Sequence, residues 1–183
     1  MCKQPVNDII MKNQFLLSIS ALLIIEFTAS CEQPTLEPKS GKAYSGQIQK
    51  IIEEKNEKIQ EFYASGMIDS AAVHFADDCI QFMPNQPAVV GVENYKTAWK
   101  QNIQFGDWQF DFNTQKVKAS GDLATEYGKY TMLFTPNKTS PIPAMEDKGN
   151  YMVLWEKMDG DWKVVWDAPV TELPLSGQAD DSL

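Results

Sequence analysis

The residue best suited to acid–base chemistry in this sequence is Glu126. Over 123–134 alternate side chains share a strand face, so Ala124, Glu126, Gly128, Tyr130 and Met132 form one set and Thr125, Tyr127 and Lys129 the other. The set with the small residues suits the crowded concave side of a sheet, which predicts that Glu126 and Tyr130 point inward. A carboxylate buried there loses hydration and holds its proton more tightly, as a general base near neutral pH requires. On the other face it would simply be solvated. The same alternation groups Tyr151, Val153 and Trp155 on a later strand, and Gln81 with Met83 on a short one. Asp167, in Trp166-Asp167-Ala168-Pro169, is the second carboxylate that a one-base reaction could use.

Other reactive side chains offer less. His74 is the only histidine, four residues before Asp78, a spacing at which helical side chains meet. One histidine without a cysteine or carboxylate cluster makes no metal site, so it reads as a surface or helix-packing residue. Asp77-Asp78 reads as a helix-ending turn rather than a catalytic pair. Of three cysteines, Cys2 lies ahead of an apolar segment and Cys31 just behind it. Cys79 is then without a partner and reads as a small buried hydrophobe. All sixteen basic residues are lysines. Without arginine there is no guanidinium fork for a phosphate or a carboxylate, which disfavours phosphoryl transfer. The formal net charge of −9 makes nucleic acid a poor partner. No motif implies a metal or any other cofactor.

The elements that must position these groups follow from periodicity. Across 45–63 apolar residues fall at Ile48, Ile51, Ile52, Ile59, Phe62 and Tyr63, one face of a helix. Gly66 ends it, and a shorter helix over 69–75 opens on Asp69, which can cap its first amides. A short strand over 79–83 stops at Pro84, and 88–90 is a second small strand. A third amphipathic helix spans 92–103, with Tyr95, Ala98, Trp99, Asn102 and Ile103 on one side. Four long strands complete the chain, over 108–119, 123–134, 149–158 and 162–170. Ser120-Gly121-Asp122 turns the first pair, and Asp159-Gly160 turns the last as a two-residue hairpin that needs positive φ. Residues 135–148, with three prolines, read as a loop. The order predicts an α+β domain: a cone-shaped, curved antiparallel sheet covered on one face by three helices, with a cavity at its mouth.

The N-terminal segment reads as an export signal. Met11-Lys12-Asn13 precedes an apolar core at 15–25, eleven residues against the roughly 20 that a bilayer span takes. Thr28-Ala29-Ser30-Cys31 resembles the bacterial lipobox, in which small residues precede a lipidated cysteine. Thr28 stands where that motif has leucine, and Glu26 interrupts the apolar core. Cys31 is the expected site of lipid attachment, with ordinary cleavage after small residues as the alternative. Glu32 follows it, where an aspartate would mark inner-membrane retention in enterobacterial lipoproteins. The expected organisation is a signal segment over 1–30, a Pro/Gly/Ser-rich flexible tether over 31–46, one domain over 47–175 and a disordered tail over 176–183. Removing 1–30 leaves 14 lysines against 23 acids.

Several landmarks together resemble one superfamily. They are Phe75-Ala76-Asp77-Asp78, the strand ending at Pro84, Gly91 before a helix containing Trp99, Gly121-Asp122-Leu123-Ala124, Gly128, and the span from Trp155 to Trp162 around Asp159-Gly160. Over 48–174 the chain is similar to the nuclear-transport-factor-2-like superfamily, and within it to SnoaL-like and ketosteroid-isomerase-like domains. That resemblance implies the cone, a fold that hosts many unrelated activities. It also places the isomerases' three catalytic positions at Met83, about Ile59 and near Val153, all apolar here, which argues against that mechanism. Asp167 matches a position acidic in many relatives, with a role in fixing the end of the sheet or as a base. Relatives commonly dimerise through the outer sheet face, and Trp108, Phe110 and Phe112 alternate as an exposed face would.

Two functions follow as expectations. The first is a cell-envelope lipoprotein, held at a membrane by its lipid alone on the periplasmic or surface side. Its cone would bind a small apolar molecule between Gln81, Met83, Trp99, Tyr130, Tyr151 and Trp155. The second is a SnoaL-like isomerase, cyclase or hydratase with Glu126 or Asp167 as base. A homodimer through the sheet is compatible with either.

Overall fold

The computed structural model describes residues 39–84 and 86–174. The signal segment, Cys31, the tether as far as residue 38 and the tail at 176–183 lie outside the described residues. The elements run α1 (Gly41–Ala64), α2 (Ile68–Ala72), β1 (Phe75–Gln81), β2 (Val89–Val90), α3 (Val92–Asn102), β3 (Gly106–Ser120), β4 (Leu123–Pro136), β5 (Met145–Met158) and β6 (Asp161–Thr171).

Every expected element is present, with some ends displaced. α1 begins at Gly41, inside the stretch read as tether, because long-range contacts hold its first turn. Tyr44 donates its hydroxyl to Gly121 O at 2.7 Å, and Ser45 Oγ accepts from Ala119 N at 3.0 Å. Both partners belong to the β3–β4 hairpin, which composition around Gly41 does not reveal. α2 is shorter than expected and Phe75 is already strand. β5 starts at Met145, opposite Phe134, inside the expected loop. The β5–β6 turn is as expected, with φ of 51° at Asp159 and 87° at Gly160.

The strands form one unclosed six-stranded sheet in the order β2-β1-β6-β5-β4-β3. β3 to β6 are antiparallel, but β1 runs parallel to β6, so the sheet is mixed rather than antiparallel throughout. No hairpin joins β1 to β6. β1 arrives from α2 and takes the open edge of β6, so the helical half sets its direction.

The helices cover the concave face. α1 turns Ile48, Ile52, Ile59 and Tyr63 inward, and α3 adds Tyr95 and Trp99. Each such side chain, fully buried, stabilises by about 1.5–3 kcal/mol. Lys55 of α1 reaches Asp161 at 2.6 Å and ties the helix to the β5–β6 turn.

Two register breaks aim the inner faces. β3 and β4 pair Ala119 with Ala124 and Val117 with Glu126. Beyond an extra residue at Gln115 they pair Thr114 with Gly128, Phe112 with Tyr130 and Phe110 with Met132. One inserted residue moves every later side chain to the other face. Trp108, Phe110 and Phe112, expected outside, therefore face the cone's interior, and Gln109, Asp111 and Asn113 face out. The exposed apolar side chains of the sheet are others, Tyr127, Met152, Trp166 and Val170 among them. The second break, at Val165, follows the pair Trp155–Val164 and turns Trp166 outward opposite Leu154. Asp167 then stands opposite Val153, facing inward. Gly128 has its own role, since a Cβ there would lie 2.3 Å from the Tyr151 ring.

Candidate functional site

Between the sheet and the helices lies a cavity of about 440 Å³, within the range of about 300–1,000 Å³ common for small-molecule pockets. The six residues expected to bind a ligand, Gln81, Met83, Trp99, Tyr130, Tyr151 and Trp155, all line it. Trp108, Phe110 and Phe112 join them, brought inside by the bulge at Gln115. Tyr63 of α1 extends the aromatic wall, its ring 4.6 Å from Trp99 and 4.9 Å from Phe110. Its hydroxyl meets that of Tyr95 at 2.6 Å, and burial pushes both phenols upward.

Glu126 points inward, as its strand set predicts, and is 1% exposed. It does not line the cavity. Oε1 accepts from Asn56 Nδ2 at 2.8 Å, Thr114 Oγ1 at 2.6 Å and the Tyr151 hydroxyl at 2.6 Å, and Oε2 accepts from Trp155 Nε1 at 2.9 Å. Four donors occupy the carboxylate of Glu126, and they tie α1, β3 and β5 to β4.

Of the two expected bases, Asp167 is the one that lines the cavity. Its Oδ2 accepts from Gln81 Nε2 at 2.9 Å, and Gln81 Oε1 accepts from Trp99 Nε1 at 3.0 Å. Indole nitrogen only donates, so the amide of Gln81 must turn its oxygen to Trp99 and its NH₂ to Asp167. Burial pushes the Asp167 carboxyl up to about 6, against the pull of the Gln81 hydrogen bond and with a further push from the charge of Glu126. A group poised there can take or give a proton near neutral pH.

A second acid, Asp147, also lines the cavity, and reading 135–148 as a loop hid it. It accepts from the Tyr130 hydroxyl at 2.7 Å and from Thr171 Oγ1 at 2.6 Å. Burial, with Asp147 next, pushes the Tyr130 phenol upward. His74 packs in the core against Phe62, not at the surface, and burial pushes it down to about 4. Cys79 is buried as expected, and burial pushes its thiol up to about 11.

No protein-family model and no curated protein sequence matches this chain. Solved structures do. A protein of Novosphingobium aromaticivorans assigned as a scytalone dehydratase aligns over 72% of this chain and 89% of its own, at TM-score 0.63 and 18% identity. A ketosteroid isomerase-like protein of Erwinia carotovora atroseptica aligns over 68% and 96%, at 0.59 and 16%. An NTF2-like protein of Pseudomonas putida aligns over 74% and 99%, at 0.54 and 18%. The chain has the nuclear-transport-factor-2-like fold. Within this NTF2-like cone, the positions that the resemblance matched to isomerase catalysis, Ile59, Met83 and Val153, all lie on the cavity wall and are all apolar. Asp167 is on the neighbouring strand, directly across from Val153.

Two stability experiments follow. Glu126→Leu removes the acceptor of four hydrogen bonds, three of them from buried side chains, and is expected to cost about 3–5 kcal/mol in denaturant unfolding. A loss under about 1 kcal/mol would show that the junction is not structural. For Asp167 the folded protein holds the proton more tightly than the ordinary value of 3.8 allows. Its contribution is then greatest in acid and is lost as pH rises through about 6. Asp167→Asn should melt higher than the parent above that pH, with the difference vanishing near the ordinary value. His74 titrates in both proteins and cancels. A constant difference across the range would refute the assignment.

Proposed function

We propose that this chain is a membrane-anchored cell-envelope protein whose NTF2-like cone binds a small, mainly apolar molecule. The observation that carries the reading is the cavity, about 440 Å³ and walled by Trp99, Trp108, Phe110, Tyr151 and Trp155. Apolar surface buried against such a wall gains about 25 cal/mol per Å². The apolar core at 15–25, Cys31 and the tether support the address from the sequence alone. Tyr127, Met152, Trp166 and Val170, exposed on the outer sheet face, support pairing with a second copy.

Native mass spectrometry of the full chain, purified in detergent from its own host's membranes, tests these readings together. Expected are an acyl mass that Cys31→Ala removes, a dimer that Trp166→Lys dissociates, and a bound small molecule that Trp99→Ala releases. An unmodified Cys31 would sink the anchor, and a monomer at high concentration the pairing. An empty cone that takes nothing from a lipophilic library would sink the binding reading.

A second reading is favoured by the cavity carboxylate. Asp167 supports a SnoaL-like enzyme of isomerase, cyclase or hydratase type, with that group as proton carrier. Similarity to structures assigned as a scytalone dehydratase and as ketosteroid isomerase-like is consistent with it. Incubating the recovered molecule with the protein in D₂O separates the two. Conversion or deuterium uptake that Asp167→Asn abolishes marks the enzyme; an unchanged molecule marks the binder.

A further inference from the structure

The charged groups of the cone are all of one sign. Asp167 and Asp147 line the cavity, and no lysine or histidine does so among the described residues; the chain has no arginine. The two acids differ in how they are satisfied. Asp147 is engaged on both oxygens, by Tyr130 on one and by Thr171 and the Lys148 amide on the other. Asp167 accepts one side-chain hydrogen bond among the described residues, from the neutral amide of Gln81, and that amide is locked in place by Trp99. The charge of Glu126, another carboxylate, pushes against ionisation of Asp167. Asp167 is half-buried at the wall of an apolar cavity, and a cation brought close to a carboxylate there is held more strongly than in water because less water competes. The rings of Tyr63, Trp99, Trp108 and Phe110 line the same cavity, and aromatic faces attract positive charge.

We propose that the cone takes an apolar amine in its cationic form, with the nitrogen against the free side of Asp167 and the hydrocarbon body among the aromatic rings. This rests on the reading of the cone as a ligand site and adds the ligand's charge class. The arrangement selects in both directions. An ammonium meets a carboxylate and ring faces, whereas a fatty acid or other anion would bring a further negative charge beside two acids already there. Burial pushes Asp167 up to about 6, so above that pH the carboxylate is ionised and ready to pair.

A matched series with one ring system tests it: naphthylmethylamine, naphthylmethanol and naphthoic acid, titrated calorimetrically into the ligand-free full chain at slightly alkaline pH. The amine is expected to bind at least about tenfold more tightly than the alcohol, and the acid more weakly than both. Asp167→Asn should abolish the preference, with the amine bound no more tightly than the alcohol by the same variant. The wild-type series stands without the variant, should the variant not fold. Equal binding of amine and alcohol, or tighter binding of the acid, overturns the amine assignment and leaves the apolar pocket standing. If none of the three binds and none displaces a co-purified molecule, the assignment fails together with the ligand-site reading.

Discussion

The buried carboxyl group of Glu126 collects donors from three elements, and the cavity wall is built on that junction. Asn56 comes from α1, Thr114 from β3, and Tyr151 and Trp155 from β5. None can be released cheaply, because a buried donor without a partner costs about 1–3 kcal/mol. The hydrogen bonds hold the Tyr151 and Trp155 rings by their polar ends, so their apolar faces become fixed wall. Gly128 makes room for one of them. A polar core contact thus determines the shape of an apolar cavity.

The second constraint is the pair of bulges. In an unbroken β3–β4 register, continuing from Ala119–Ala124, Phe112 would stand opposite Thr131 and point outward. The extra residue at Gln115 sets it opposite Tyr130 instead. In an unbroken β5–β6 register Val153 would face Trp166, and Asp167 would lie on the outer surface. The extra residue at Val165 reverses that. Bulges concentrate near functional sites because they re-aim side chains without changing the fold. Here one brings the aromatic wall inside and the other the carboxylate.

Stability and chemistry pull apart at Asp167. Glu126 is held by four donors and kept from the cavity, while Asp167 has a single neutral donor and an apolar chamber in front of it. Residues kept at a cost to folding are those whose value lies in what they meet there. Gln81 and Trp99 orient the group without neutralising it, which suits a site where the ligand completes the pairing.

Local pattern determined much of this protein. The spacing of Ile48, Ile52, Ile59 and Tyr63 made α1, alternation along β4 put Glu126 and Tyr130 inside, and Asp159-Gly160 made the last turn. These depend on neighbours in the chain, which any reading of periodicity can see. The resemblance to the superfamily located the cavity wall at Ile59, Met83 and Val153. What only the tertiary structure decided depends on residues far apart. α1 extends to Gly41 because the β3–β4 hairpin receives Tyr44 and Ser45. The four donors on Glu126 come from α1, β3 and β5, which only the fold brings together. The faces of Phe112 and Asp167 were set by register breaks that leave no mark in alternation, since a period of two carries no memory of a skipped residue.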